Sequence, residues 1–333
     1  MHRLISILVV ASGSRADQAL LDKALFIARR IGAQIHLFSC DAQLAHSLRH
    51  SCDPSEAEKA WNDGVTDRQA YLESLRAGAQ PIGIHIAVEA TCDGPLCDVI
   101  NRKALECNAD LVMKSPSGAH PLRGLAFDTN DWQLMRTCPV ALMLVRDRVW
   151  QQPPRFAALV DMGDSAGERV AETVVHTSRH LALGCKASLD LIFSDPSVDE
   201  EIRERRARAL ASLAREYHLS EAGMHVVAGD PHETLAEVIA PRDYDVILLG
   251  ALTHRRGFAA LVGTLTNQLV EKLGCDFVLV KHKLPEEVCR GLLRPEAQDV
   301  PGQDPEAALQ KVAGKHRLGG GHATVLWQSL FGD

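Results

Sequence analysis

The feature that most constrains the fold is an internal repeat, which divides the chain into two halves with a period of about 150 residues. Each half opens with a buried-strand pattern, an amphipathic helix and a second strand, and closes with a helix and an apolar strand. The opening segments are LISILVVASG, ADQALLDKALFIARRIGA and QIHLFSC in the first half, and RFAALVDMGD, GERVAETVVHTSRHLALG and KASLDLIFSD in the second. This period is too long for a solenoid and has the size of a duplicated domain.

Strands that are rich in Val, Ile and Leu and alternate with amphipathic helices are typical of a parallel sheet covered on both faces. Each half is therefore expected to form an α/β doubly wound domain, with boundaries at residues 1–147 and 155–283. The intervening RVWQQPPR is expected to be a linker, because its two prolines cannot continue a helix or a central strand. Residues 284–333 are rich in Pro, Gly and charge, and we expect a mobile tail or a small docking segment there.

Composition and charge disfavour several classes of function. The 36 basic and 43 acidic residues give a net charge of -7, which leaves no basic excess for binding nucleic acid or an anionic membrane surface. The apolar run near the N-terminus is about seven residues long, too short for a secretory or membrane-spanning segment. These observations predict a cytoplasmic protein.

The nine cysteines are an odd number without paired spacing, which disfavours a disulfide framework. The first half combines several of them with histidines, but CxxC spacing is absent. Small buried thiols are therefore favoured over a zinc site, and no metal ligand is predicted. The residues considered as soft metal ligands are Cys40, Cys52, Cys92, Cys97, His36, His46, His50 and His85.

Candidate ligand-binding residues follow two strands of the second half, where open α/β sheets bind their ligands. Asp161 comes after the first strand and can accept hydrogen bonds from an adenine amino group or a ribose hydroxyl. Gly250 is expected to come after the fourth strand, where a missing side chain allows close approach of a ligand. Gly263 and Thr264 then begin a helix whose free N–H groups suit an anion. Each feature alone is also explained by helix capping or a solvated loop, so the prediction depends on their combination.

The predicted nucleotide-binding residues are Val160, Asp161, Gly250, Thr253, Arg255, Arg256, Gly263, Thr264 and Leu265.

The segment LGALTHRRGFAALVGTLTNQ resembles the ATP-binding signature of the universal stress proteins, Gly-x2-Gly-x9-Gly-Ser/Thr, and the resemblance extends over both halves. FDTNDWQLMRTCP and DLVMKS in the first half are similar to the tandem E type of that family. The resemblance implies ATP, with Mg2+, as ligand. Thr253 departs from the signature because a glycine stands there in the family, and its β-branched side chain adds bulk on the triphosphate path. The alternative is that Gly257 takes that role, since RRGF resembles the Arg-x-Gly-apolar run that follows the loop in the family.

Side-by-side placement of the halves sets Ala11 opposite Asp161, Ser115 opposite Gly250 and Asp128 opposite Gly263. A carboxylate at the start of the helix would exclude a phosphate by charge. We therefore expect a degenerate nucleotide site in the first domain. This domain would serve as a pairing scaffold or bind another ligand. The closing apolar strands predict pairing of the two domains within the chain, and further homodimerisation stays open.

The leading hypothesis is a tandem universal stress protein that senses or regulates a stress response through an adenine nucleotide bound in its second half. One alternative is a scaffold, or a binding protein for another small ligand. The other is a slow ATPase, although no positioned base or assured Mg2+ carboxylate stands beside the loop. The GxGxxG and GxxxxGK[ST] motifs of dinucleotide-binding and P-loop proteins are absent.

Overall fold

The computed structural model describes residues 5–49, 53–79, 83–120, 124–126, 128–162, 165–251, 269 and 272–281. Strands and helices largely alternate along this part of the chain, as the repeat predicts. In chain order they are β1 (Ser6–Val10), α1 (Ala16–Ile31), β2 (Gln34–Cys40), α2 (Ala42–Arg49), α3 (Pro54–Ala79), β3 (Ile86–Thr91), α4 (Leu96–Glu106), β4 (Leu111–Lys114), β5 (Gly118–His120), β6 (Gly124–Ala126), α5 (Thr129–Thr137), β7 (Ala141–Leu144), β8 (Arg155–Val160), α6 (Ser165–Cys185), β9 (Ser188–Asp195), α7 (Glu200–Glu216), β10 (Met224–Ala228), α8 (Pro231–Ile239), β11 (Val246–Ala251) and β12 (Asp276–Lys281).

Ten of these strands form one sheet in the order β10-β9-β8-β11-β12-β7-β4-β1-β2-β3. Within each half all neighbouring strands are parallel, and the first strand of the half lies in the middle. The halves meet where β7 and β12 pair antiparallel, with Leu142 opposite Leu279. The predicted α/β doubly wound fold is confirmed.

Apolar side chains cover both faces of the sheet because alternate residues of a strand point to opposite faces. Ile7 and Val9 belong to one buried cluster and Leu8 and Val10 to the other. Helices α1, α3, α6 and α7 contribute to the first cluster, and α4, α5 and α8 to the second. The result is the three-layer arrangement that near-continuous apolar strands require.

Helices α1 and α6 pack against each other on one face, although they belong to different halves. A Cβ atom at Gly184 would lie 2.3 Å from Cγ2 of Ile31, so a glycine is needed for this close approach. Beside them Trp150 of the linker makes edge-to-face contacts with Phe26 and Phe156. Trp150 thus anchors the linker in the packed interior between the halves.

The structure also contains helices that the repeat did not reveal. The segment between the second and third strands forms α2 and α3 in the first half but the single helix α7 in the second. Because the two segments differ, comparison of the halves gives no signal for them. The β5–β6 hairpin was likewise not predicted.

Candidate functional site

The predicted residues Val160, Asp161 and Gly250 lie at the carboxyl edge of the sheet in the second half. Leu159 of β8 is paired with Leu249 of β11, so the next residues, Val160 at the end of β8 and Gly250 one residue before the end of β11, lie at the same edge. Asp161 follows directly and is half-buried. This edge is where parallel α/β sheets bind their ligands.

Gly250 has a packing role that the sequence did not indicate. A Cβ atom on it would lie 2.2 Å from Cγ1 of Val170 and 3.2 Å from Cγ2 of Val174. Both valines belong to α6, which therefore crosses the end of β11 at a distance that only glycine allows. The missing side chain is explained by this helix–strand contact before any ligand is considered.

The other predicted nucleotide-binding residues lie outside the described part of the chain. They are Thr253, Arg255, Arg256, Gly263, Thr264 and Leu265. The effect of Thr253 on the signature and the alternative use of Gly257 accordingly stay predictions.

A polar group that sequence reasoning missed stands one strand further along the same edge. Asp195 ends β9, is 1% exposed, and accepts a 2.7 Å hydrogen bond from Nη1 of Arg206 on α7. Its Oδ1 also accepts from the backbone N–H of Ser197 at 3.0 Å. Its Oδ2 has no hydrogen-bond partner among the described residues.

The first half repeats this pair. Asp41 follows β2 and accepts hydrogen bonds from Arg68 of α3, at 2.6 Å from Nη2 and 3.1 Å from Nε. Burial acts to raise the pKa of Asp41, but the N–H of Leu44 and the Arg68 guanidinium outweigh it and lower that pKa. The sequence signal would have been an aspartate at the end of the second strand or directly after it, followed by an arginine 11 or 27 residues later.

One predicted equivalence between the halves is wrong by one residue. Asp110 donates its N–H to the carbonyl of Ser6, and Asp245 donates its N–H to the carbonyl of Arg155. These bonds make Ser6 the counterpart of Arg155, so that Ser12, and not Ala11, is the counterpart of Asp161. The same register keeps Ser115 opposite Gly250. The error arose because apolar residues of similar strands can be aligned in either register, whereas the hydrogen bonds allow only one.

Asp128 occupies the start of α5, as the comparison of the halves predicts. Its carboxylate accepts the N–H of Asp131 at 2.7 Å, and the Asp131 carboxylate accepts the N–H of Asp128. This reciprocal pair is a capping box, which uses N–H groups that would otherwise be open to a ligand.

Asp131 is itself fully buried and forms a 2.7 Å ion pair with Lys114 at the end of β4. Lys114 also donates to the hydroxyl of Ser117, at 2.5 Å, and to the carbonyl of Ser115, at 2.9 Å. No pattern in the sequence indicates this ion pair, because an isolated lysine at the end of a strand is not distinctive.

The residues considered as metal ligands do not converge where the structure describes them. Within those ranges no three His, Cys, Asp or Glu side chains come together in a way that could hold a metal ion. Seven cysteines there are free thiols, namely Cys40, Cys92, Cys97, Cys107, Cys138, Cys185 and Cys275. Among the described helices, none has the length and apolar character needed to cross a membrane.

Comparison with known proteins identifies the same two halves. The model of the "Universal stress protein family" matches residues 6–146 and 155–281. Universal stress protein E of Salmonella typhi is 23% identical over 295 residues, which cover 83% of this chain and 94% of the relative. A functionally unknown protein from Pseudomonas aeruginosa PAO1 superposes with a TM-score of 0.68 at 21% identity, over 87% of this chain and 96% of the other. A universal stress protein from Archaeoglobus fulgidus gives a TM-score of 0.59 at 12% identity, over 84% of this chain and 96% of the other. At these identities the structural matches concern the fold.

Proposed function

Because this chain belongs to the universal stress protein family and is a tandem protein similar to universal stress protein E, we propose that it binds an adenine nucleotide in its C-terminal domain and thereby regulates a stress response. The binding domain comprises residues 155–283. The N-terminal domain, residues 1–147, is its nucleotide-free partner within the same chain.

The observation that supports this proposal most is the position of Asp161. It is a half-buried carboxylate directly after the central strand β8, next to the end of β11. A carboxylate at this point can accept hydrogen bonds from two neighbouring ribose hydroxyls or from an amino group of the base. The first domain has the hydroxyl of Ser12 at the same place.

We propose the phosphate contacts from the sequence signature. Gly263, Thr264 and Leu265 would supply backbone N–H groups at the start of a helix, and Arg255 and Arg256 would add positive charge. Mg2+ would accompany the phosphates of ATP and neutralise part of their charge. We expect a cytoplasmic protein in which the two domains function as a pair.

Isothermal titration calorimetry with Mg-ATP tests the proposal on wild type, Asp161→Ala and the positional control Ser12→Ala. We expect one site per chain in wild type and in the control. Because a hydrogen bond to a charged acceptor contributes about 1.5–3 kcal/mol, Asp161→Ala should weaken binding by roughly 10- to 100-fold.

Two other outcomes of these measurements would favour the alternative functions, a scaffold or small-ligand protein and a slow ATPase. Absence of heat and of thermal stabilisation at millimolar ATP would refute nucleotide binding and favour a scaffold or another small ligand. Steady phosphate release that is lost in Gly263→Asp, the change that copies Asp128, would identify a slow ATPase instead.

A further inference from the structure

The loop between β1 and α1 encloses a carboxylate of its own chain. Asp17, which is 1% exposed, accepts the backbone N–H groups of Ser12, Gly13 and Ser14 at 3.1, 2.7 and 3.1 Å. The Ser12 hydroxyl also donates to Asp17, at 3.2 Å. Successive N–H groups that converge on one point form an anion-binding nest. Here the anion is already present as a side chain.

Helix α3 closes this nest from outside. The hydroxyl of Tyr71 donates a 2.9 Å hydrogen bond to Oδ2 of Asp17. Burial, together with this hydrogen bond, raises the pKa of Tyr71 to about 12, which keeps the phenol protonated and able to donate. Arg68 of the same helix reaches over the loop, since its Nη1 lies 3.8 Å from the position of a Cβ atom on Gly13.

The loop after β4 is occupied in the same manner. Asp131 accepts the N–H of Ser117 at 2.8 Å and that of Asp128, while Lys114 neutralises its charge. Counting back from the strands β7 and β12, Lys114 corresponds to Leu249 and Asp131 to Thr266. The ion pair therefore has no equivalent in the sequence of the second domain.

We propose that the N-terminal domain is self-liganded: the carboxylates of Asp17 and Asp131 occupy the two amide-lined loops at its carboxyl edge and hold them closed without a nucleotide. The two domains then differ in kind. The first has loops fixed by its own side chains, whereas the sequence of the second has Leu249 and Thr266 in place of the ion pair of Lys114 with Asp131. This inference concerns the domain that the proposed nucleotide does not use, and it can fail or hold independently of nucleotide binding.

Chemical rescue tests the proposal without any nucleotide. Asp17→Ala removes the internal anion and leaves the N–H groups of Ser12, Gly13 and Ser14 unpaired. We expect a lower melting temperature for this variant and a specific recovery by sodium formate, the smallest carboxylate, of roughly 2 °C or more relative to sodium chloride at equal ionic strength. The matched control is Asp22→Ala, an exposed aspartate on the same helix, which should show the same response to both salts as wild type.

A second measurement covers the case in which Asp17→Ala does not fold in chloride. Its refolding yield from urea is then compared in formate and in chloride, and we expect folded protein only, or mainly, in formate. Equal effects of the two salts in both measurements would overturn the proposal, as would an Asp17→Ala variant as stable as wild type. If wild type does not bind ATP, the proposed function is refuted but the formate result is unaffected.

Discussion

The ion pair between Lys23 and Asp276 joins the two domains in the interior of the protein. Asp276 begins β12, is 1% exposed, and lies 2.6 Å from Nζ of Lys23 on α1. Its carboxylate also accepts the indole N–H of Trp150 and the backbone N–H of Arg146, both at 2.7 Å. The corresponding residue of the first domain is Ala141, so only one of the two related positions carries this contact.

Replacement of Lys23 by Met keeps most of the side-chain volume but leaves the buried carboxylate without its cation. Removal of one partner of a buried ion pair costs about 3–5 kcal/mol of unfolding free energy. The carboxyl can limit the cost by taking up a proton, which at pH 7 requires about 4 kcal/mol for a group with an ordinary pKa of 3.8. We therefore expect Lys23→Met to lose about 3–4 kcal/mol at pH 7.

The loss should depend on pH in a defined direction. Burial raises the pKa of Asp276, and removal of Lys23 raises it further. Between the unfolded value of 3.8 and the raised folded value, the folded state binds a proton that the unfolded state has released, so stability falls as pH rises. At pH 5 protonation requires less than about 2 kcal/mol, and the loss in Lys23→Met should shrink to that level or below.

Urea unfolding followed by circular dichroism measures the loss of unfolding free energy in Lys23→Met at pH 5 and at pH 7. The control is Lys103→Met, which breaks the ion pairs of Lys103 with Glu89 and Glu106, whose side chains are 54% and 48% exposed. Exposed pairs contribute about 1 kcal/mol or less, so the control should lose no more than that. A loss in Lys23→Met below 1 kcal/mol at pH 7, or one that is equal at both pH values, would refute the reasoning.

Two further predictions concern packing and thiol reactivity. Gly250→Ala places a methyl group 2.2 Å from Val170 and should lower the unfolding free energy by about 1–3 kcal/mol in urea titrations. The double variant Gly250→Ala/Val170→Ala should recover part of this loss, and an unchanged single variant would contradict the close helix–strand contact. Burial raises the pKa of Cys185 and of Cys275 to about 12, so neither thiol should react with iodoacetamide at pH 8 until urea is added. Mass spectrometry of native and denatured samples locates the label, and rapid native labelling of either would show that the interior opens more readily than its burial implies.

The sequence was sufficient for the fold because the relevant information is local. Apolar runs and helical periodicity identify the strands and helices of each half, and repetition of the pattern identifies two related domains. The site was predicted in part on the same basis. Asp161 follows β8 and Gly250 lies near the end of β11, and the ends of parallel strands necessarily meet at one edge.

The reason for Gly250 could not be predicted in this way. Its hydrogen faces Val170 and Val174, 80 and 76 residues earlier in the chain, and the path of α6 across β11 decides that contact. The one-residue error at Ala11 has a similar origin. Residues of the two domains become equivalent through hydrogen bonds between strands, which sequence similarity does not reveal.

The sequence by itself determined two α/β repeats, the edge at which a ligand would bind, and the loss of the glycine signature in the first half. Only the tertiary structure decided which charges are internal. Asp17 meets a nest of its own loop and a tyrosine of α3, and Lys23 meets a carboxylate 253 residues away. These charges are stable in the interior because a partner of opposite charge or a set of donors reaches them there, and that pairing depends on the packing of distant elements.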